Sequence, residues 1–182
     1  MVRIRVHGRG GEGAVTFAHI LCASATYDGK YGQSCMAAAF ERRGAPVEAF
    51  GRIGERPIAE RGTITEPDIV AVLNPTLVTA VNVELGMNES GMLVVNAPEQ
   101  LALKHRATYI DARRIALEML NVPITNTVML GAFAAATELV TLESLEKAAR
   151  FILTRFSENK LKANIAAIRA GYDEVKRGQG IH

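Results

Sequence analysis

Short apolar runs alternate with segments of helical periodicity over the first two thirds of the chain. Residues 2–7 alternate branched apolar residues with Arg3 and Arg5, which predicts a strand with one wetter face near a sheet edge. The continuous apolar run at 68–74 is typical of a buried strand. Further strands are predicted at 34–40, 47–53, 91–97 and 106–112.

Helical patterns separate these strands and then take over the C-terminal third of the chain. One helix is predicted from 12 to 27, and another from Pro75 to Leu85 with Gly86 just past its end. Asp111 is predicted to begin the first C-terminal helix, and Thr141 with Ser144 to begin the third. The C-terminal helices are predicted at 112–120, 126–139, 141–156 and 158–172.

The order of the elements predicts one α/β domain with a mostly parallel, Rossmann-like sheet flanked by helices and a helical C-terminal cap. This domain would cover residues 1–176 and leave 177–182 as a frayed tail. A chain of 182 residues suits one domain, which buries about 70% of its unfolded surface.

Charge and hydropathy exclude several kinds of partner. The 21 basic and 19 acidic residues nearly cancel, and no Lys/Arg run dominates a segment, so nucleic acid is not the expected partner. The apolar stretches are too short to span a membrane. The N-terminus enters a strand pattern at once, without the pattern of a signal peptide, which favours a cytoplasmic location.

The cysteine count limits the redox chemistry of this chain. Cys22 and Cys35 are the only two cysteines, whereas an ordinary iron–sulfur cluster needs four thiolates. The four histidines show no metal-ligand spacing, so no metal site is expected. Both cysteines are interpreted as small buried apolar residues, and any redox reaction would take place elsewhere.

The most conspicuous motif is the glycine-rich segment 8–13, Gly-Arg-Gly-Gly-Glu-Gly, between the first strand and the first helix. It fits the G-x-G-x-x-G pattern, in which glycines permit close approach and a helix N-terminus attracts phosphate. A dinucleotide site also needs an acidic residue about 20 positions later. Asp28 lies in a turn and Glu41 comes late, so a ribose contact is not convincingly present.

Glu12 argues against a free-standing anion site in this loop. Its carboxylate, about 5 Å from a bound phosphate, would cost about 3 kcal/mol at an effective dielectric constant near 20. The helix dipole contributes only about 0.3–1 kcal/mol in the other direction. An anion site therefore requires Glu12 to turn away or to pair with Arg9. Alternatively, the loop only permits tight strand-to-helix packing, with Glu12 as an acid in the first helical turn.

A second notable segment is 40–53, Phe-Glu-Arg-Arg-Gly-Ala-Pro-Val-Glu-Ala-Phe-Gly-Arg-Ile. Arg42 and Arg43 precede Gly44 between two predicted strands, and Arg52 follows in the second of them. Guanidinium groups bind carboxylate or phosphate through two parallel hydrogen bonds. The segment is either such a site, for a ligand or another subunit, or a solvated basic loop.

Four segments, in this order, resemble one known family over nearly the whole chain. They are GRGGEGAVT near the N-terminus, FERRGAPVEAFGRI at 40–53, NVPITNTVMLGAF at 121–133 and NKLKANIAAIRAGY at 159–172. Together they are similar to the gamma subunits of pyruvate:ferredoxin oxidoreductase (pyruvate synthase) and of its 2-oxoacid:ferredoxin relatives. The middle segment is the most specific. The glycine loop departs from the family's usual Gly-Gly-Gln-Gly, because Glu12 replaces the glutamine.

The resemblance implies a division of labour among subunits. Alpha, beta and delta subunits would carry thiamine diphosphate, Mg and the [4Fe-4S] clusters, decarboxylate a 2-oxoacid and pass electrons to ferredoxin. Coenzyme A would accept the acyl group. The gamma-type chain would have no catalytic residue and bind no cofactor alone. It would pack against the thiamine-bearing core and help to enclose coenzyme A, and it would be inactive in isolation.

Ten residues are predicted to contact coenzyme A or a partner subunit. The glycine loop would lie nearest the incoming group, and the arginines would pair with its phosphates or with acidic groups on the core. The two asparagines lie where open α/β sheets bind ligands, or they cap helices and turns. The ten residues are Gly8, Arg9, Gly10, Gly11, Gly13, Arg42, Arg43, Gly44, Asn96 and Asn126.

Two alternative functions stay open on sequence grounds. The chain could be an autonomous NAD- or FAD-binding Rossmann oxidoreductase, which would bind its nucleotide without partners. It could also be a purely structural scaffold, whose loop and arginines contact only other subunits.

Overall fold

One six-stranded sheet organises the computed structural model, which describes residues 1–36 and 43–178. The strand order is β2-β3-β1-β4-β5-β6, and β1, β4, β5 and β6 pair in parallel. β3 runs antiparallel to both of its neighbours, β1 and β2. The strands are β1 Val2–Arg9, β2 Tyr31–Met36, β3 Pro46–Gly54, β4 Ile69–Val72, β5 Met92–Asn96 and β6 Arg106–Ile110. The predicted α/β fold with a mostly parallel sheet is confirmed.

The helices follow the predicted order and form the expected C-terminal cap. Asp111 accepts a hydrogen bond from the Arg114 N–H at 2.9 Å, and Thr141 accepts one from the Ser144 N–H at 3.2 Å. Both predicted helix starts are therefore confirmed. The helices are α1 Ala14–Tyr27, α2 Leu77–Ala80, α3 Ala112–Leu120, α4 Asn126–Thr137, α5 Leu142–Ile152 and α6 Glu158–Lys176.

The two faces of the sheet are covered differently. The five longer helices pack on one face around a core that includes the edge-to-face pair Phe17 and Phe133, whose ring centroids are 5.6 Å apart. The other face is covered by α2 and irregular segments. Its apolar cluster consists of Val70, Val72, Leu77, Val83, Leu93, Val95, Ala97 and Tyr109.

Two predictions for the chain around Arg5 were wrong. β1 lies in the interior of the sheet rather than near its edge, and Arg5 is buried there. Its guanidinium donates to the carbonyl oxygens of Val83 at 3.0 Å and Leu85 at 2.7 Å. α2 ends at Ala80 instead of continuing to Leu85, and the turns that follow it present these two carbonyls to Arg5.

The close crossing of α4 and α6 fixes the helical layer. A β-carbon added at Gly131 would lie 1.8 Å from the Ile168 carbonyl oxygen, and one added at Gly171 would lie 2.0 Å from the Val128 carbonyl oxygen. Each glycine therefore lets the backbone of the other helix approach directly. This contact holds α6, the main helix of the cap, against the largely buried α4.

The two cysteines differ in burial. Cys22 is buried, and its thiol donates to the Gln33 carbonyl oxygen at 3.2 Å, with burial raising its pKa to about 12. Cys35 is only half-buried, on β2, and its thiol donates to the Gly62 carbonyl oxygen at 3.2 Å. The prediction of a buried residue is confirmed for Cys22 and wrong for Cys35, because β2 is the edge strand.

Candidate functional site

The glycine loop lies at the edge of the sheet where the parallel strands end. It follows β1 directly and turns back into α1, with Gly11 at φ +95° and Gly13 at φ +85°. These left-handed conformations are easily reached only by glycine. A β-carbon at Gly8 would lie 3.1 Å from that of Ala14, so this glycine also permits the tight strand-to-helix packing.

A pocket of about 240 Å³ opens between this loop and the N-terminus of α1. The first hydrogen bond of the helix joins the Phe17 N–H to the Gly13 carbonyl oxygen at 2.8 Å. The N–H groups of the first helical residues precede that bond, so they are available to a ligand at the positive end of the helix dipole. The pocket is lined by Arg9, Gly10, Gly11, Gly13, Ala14, Val15, Thr16 and Val47.

The turn that precedes β3 forms one side of this site. Gly44, at φ +84°, donates its N–H to the Gly10 carbonyl oxygen at 3.1 Å, and the Gly10 N–H donates to the Ala45 carbonyl oxygen at 2.9 Å. Arg43 is exposed beside Gly44. Arg42, Glu41 and the predicted strand residues 37–40 lie outside the described residues. Arg52 lies farther along β3 and is buried, with its guanidinium donating to the Gly62 carbonyl oxygen at 3.0 Å.

Arg9 and Glu12 are both held within the loop. The Arg9 guanidinium donates to the Gly44 carbonyl oxygen at 3.0 Å and to the Thr76 hydroxyl at 2.8 Å. Glu12 accepts hydrogen bonds from the Arg9 backbone N–H at 2.7 Å and from the Asn74 side-chain amide at 2.5 Å. Since α1 begins at Ala14, Glu12 lies ahead of the helix, and its interpretation as a first-turn acid was wrong.

Asn74 and Thr76 were not recognised from the sequence as part of this site. They follow β4, which pairs in parallel with β1, so the ends of these two strands meet. The available signal was the Asn-Pro-Thr turn directly after a predicted buried strand.

The two predicted asparagines have different positions. Asn126 begins α4 and packs against the loop, because a β-carbon at Gly13 would lie 2.3 Å from its amide nitrogen. Asn96 is buried at the end of β5, where its side-chain N–H donates to the Leu73 carbonyl oxygen at 2.8 Å and its side-chain oxygen accepts from the Ala112 N–H at 3.1 Å. Its hydrogen bonds therefore join β4 to the start of α3. A ligand contact stays a prediction for both.

Arg5 places a buried positive charge beside His7, in the strand that leads into the loop. The Arg5 guanidinium donates to the Nε2 atom of His7 at 3.0 Å, while Nδ1 of His7 lies 3.6 Å from the Glu48 carboxylate. Burial and the neighbouring Arg5 lower the pKa of His7 to about 4. His7 is therefore neutral near pH 7, which leaves Nε2 free to accept this hydrogen bond.

Residues 1–36 and 43–178 hold neither a metal cluster nor a membrane span. No group of three or more His, Cys, Asp or Glu side chains could hold a metal ion within these ranges. No helix within them is long and apolar enough to cross a membrane.

Fold and site define the class of this protein: a single α/β domain with a pocket of about 240 Å³ at the N-terminus of its first helix. The model of the family described as pyruvate ferredoxin/flavodoxin oxidoreductase matches residues 3–174. The chain belongs to this family.

The chain is similar to several proteins over nearly the whole length of both sequences. The chain is 45% identical to pyruvate synthase subunit PorC of Methanocaldococcus jannaschii, covering 99% of this chain and 100% of that protein. It is 45% identical to the pyruvate/ketoisovalerate oxidoreductases common subunit gamma of Pyrococcus furiosus, covering 97% and 98%. A crystal structure of pyruvate oxidoreductase subunit PORC from Thermotoga maritima matches with a TM-score of 0.82 at 34% identity, covering 94% and 95%.

Proposed function

We propose that the chain is the gamma-type subunit of a pyruvate (2-oxoacid):ferredoxin oxidoreductase. The complex converts a 2-oxoacid and coenzyme A to acyl-CoA and CO2, and its electrons pass to ferredoxin. This subunit packs against the thiamine-bearing core and encloses part of coenzyme A. Support comes from the full-length similarity to subunits with these names. The comparisons do not support an autonomous NAD- or FAD-binding oxidoreductase.

The pocket at the N-terminus of α1 is the observation that carries the role toward coenzyme A. Coenzyme A has several phosphate oxygens, which suit backbone N–H groups at a helix N-terminus. Hydrogen bonds to a charged group are worth about 1.5–3 kcal/mol each, and the dipole adds about 0.3–1 kcal/mol. Arg43 and Gly44 border the loop and offer a second contact for the phosphates or for an acidic group on the core.

The chemical steps belong to other subunits in this proposal. Two cysteines cannot supply the four thiolates of a [4Fe-4S] cluster, so the clusters, thiamine diphosphate and Mg are assigned to alpha, beta and delta subunits. The gamma-type chain holds coenzyme A by its phosphates, far from the thiol that accepts the acyl group. The isolated chain is therefore inactive. In this proposal the complex is cytoplasmic.

Thr16→Glu tests this function in the assembled complex. Thr16 lines the pocket in the first turn of α1, where a glutamate stabilises the helix but repels a phosphate. We expect the KM for coenzyme A to rise about tenfold or more, since about 1.4 kcal/mol of lost binding is a factor of ten. The KM for the 2-oxoacid and kcat at saturating coenzyme A stay unchanged, because the lost interaction is remote from the reacting atoms.

Thr16→Gln is the matched control, with nearly the same shape and no charge. It should raise the KM for coenzyme A much less than Thr16→Glu. Equal values of this KM in the wild-type, Thr16→Glu and Thr16→Gln complexes would exclude the pocket as the phosphate site. That outcome would favour the scaffold alternative.

A further inference from the structure

We infer that Glu12 is a positioning residue, which holds the glycine loop in its ligand-accepting shape through a hydrogen-bond relay that ends on Arg9. This inference rests on the proposed function, because the ligand in question is coenzyme A. The relay, defined as Arg9, Thr76, Asn74 and Glu12, joins the loop after β1 to the turn after β4.

The relay is closed, because it begins and ends on the same residue. The Arg9 guanidinium donates to the Thr76 hydroxyl, with Nη2 at 2.8 Å and Nε at 3.2 Å. The Thr76 hydroxyl donates to Oδ1 of Asn74 at 2.8 Å, and Nδ2 of Asn74 donates to the Glu12 carboxylate at 2.5 Å. The other carboxylate oxygen of Glu12 accepts from the Arg9 backbone N–H at 2.7 Å.

The direction of every hydrogen bond in the relay is fixed. A guanidinium has no acceptor, so the Thr76 hydroxyl accepts from Arg9 and must give its own proton to Asn74. The Thr76 backbone N–H also donates to Oδ1 of Asn74, at 3.1 Å. The Asn74 amide therefore turns its N–H toward position 12. Both partners of residue 12 are donors and each contacts a different carboxylate oxygen, so a glutamate satisfies both in this geometry.

This geometry changes the electrostatic expectation for the loop. On sequence grounds alone, the Glu12 charge opposes phosphate binding unless Glu12 turns away or pairs with Arg9. In the structure the carboxylate is bound by two donors, and the relay couples it to the positive charge of Arg9. Glutamine at this position would place its N–H group against the N–H of either Asn74 or Arg9. Residue 12 would then lose one of its two hydrogen bonds.

Glu12→Gln in the assembled complex distinguishes the relay from simple repulsion, because the two predict opposite changes in the KM for coenzyme A. The relay predicts that the KM for coenzyme A rises about threefold to tenfold. The KM for the 2-oxoacid and kcat at saturating coenzyme A stay unchanged. Simple repulsion predicts the opposite, a lower KM for coenzyme A, and that result would overturn the inference.

The double variant Glu12→Gln/Asn74→Asp is expected to reverse the effect of Glu12→Gln on the KM for coenzyme A. The new carboxylate at position 74 would accept from Thr76 and from the new amide at position 12. The oxygen of that amide would still accept from the Arg9 N–H, so every donor again meets an acceptor. Asn74→Asp alone would oppose two carboxylates and should raise the KM for coenzyme A. We expect the double variant to restore this KM to within about twofold of wild type, and a double variant no better than Glu12→Gln would contradict the relay.

Thr16→Glu, measured beside these variants, distinguishes failure of the inference from failure of the proposed function. If Thr16→Glu raises the KM for coenzyme A and Glu12→Gln does not, the pocket binds coenzyme A and Glu12 does not position it. If Thr16→Glu leaves that KM unchanged, the proposed function fails, and the relay's role toward coenzyme A fails with it.

Discussion

Gly131→Ala is expected to lower the free energy of unfolding by about 2 kcal/mol. The new β-carbon would lie 1.8 Å from the Ile168 carbonyl oxygen, so α4 and α6 must move apart by more than about 1 Å. Overpacking of this kind costs about 1–3 kcal/mol and occasionally more. The higher helix propensity of alanine returns only about 1 kcal/mol. The loss is larger than this gain because the obstacle is a helix backbone, which no side-chain rotation can relieve.

Chemical denaturation of the purified chain measures this change. Asn159→Ala, at an exposed position near the start of α6, is the control and should change the free energy of unfolding by less than about 0.5 kcal/mol. If Gly131→Ala were as stable as the control, the close approach of α4 and α6 would be wrong. Gly171→Ala should behave like Gly131→Ala, because it meets the Val128 carbonyl oxygen from the other side of the same contact.

Gly13→Ala is expected to affect both stability and the site. At φ +85° an alanine costs about 1–2 kcal/mol, and its β-carbon would lie 2.3 Å from the Asn126 amide nitrogen. We expect the free energy of unfolding to fall by about 2–3 kcal/mol. The KM for coenzyme A should also rise about tenfold or more, because the loop cannot keep its shape beside α4.

A double-mutant cycle separates the strain of the left-handed conformation at position 13 from the steric contact with Asn126. Asn126→Ala removes the amide that the new methyl group meets but leaves the left-handed conformation at position 13 unchanged. Gly13→Ala/Asn126→Ala should therefore recover the steric part of the loss and remain about 1–2 kcal/mol less stable than Asn126→Ala. Additive effects of the two substitutions, with no coupling, would show that Gly13 and Asn126 are not in contact.

Local signals accounted for most of the fold. The buried strands β4 and β5 were predicted because each is a short apolar run followed by an asparagine, and α3 and α5 because Asp111 and Thr141 precede them. β1 was placed wrongly because an arginine in a strand suggests water. The carbonyls that satisfy Arg5 come from Val83 and Leu85, distant in the sequence. No pattern within a single segment predicts a hydrogen-bond partner that lies so far away in the sequence.

The candidate site was predicted only in part, because some of its contacts also join residues that are distant in the sequence. The glycines of the loop could be recognised because their conformational requirement is local. The contact between Glu12 and Asn74 could not, because Asn74 reaches the loop only through the parallel pairing of β1 with β4. Sequence reasoning therefore named Arg9 as a possible partner of Glu12 but not Asn74, and the structure shows that Arg9 contacts Glu12 through its backbone N–H. Asn96, predicted from its place after a strand, proved to join backbone groups of β4 and α3.

Amide hydrogen exchange of the assembled complex tests most directly whether the glycine loop receives the phosphates of coenzyme A. Exchange is compared without ligand, with coenzyme A, and with pantetheine, which has the thiol but no phosphate. Peptides spanning residues 10–16 should exchange more slowly with coenzyme A and at the unliganded rate with pantetheine. Unchanged exchange in these peptides at saturating coenzyme A would contradict a phosphate site at this loop.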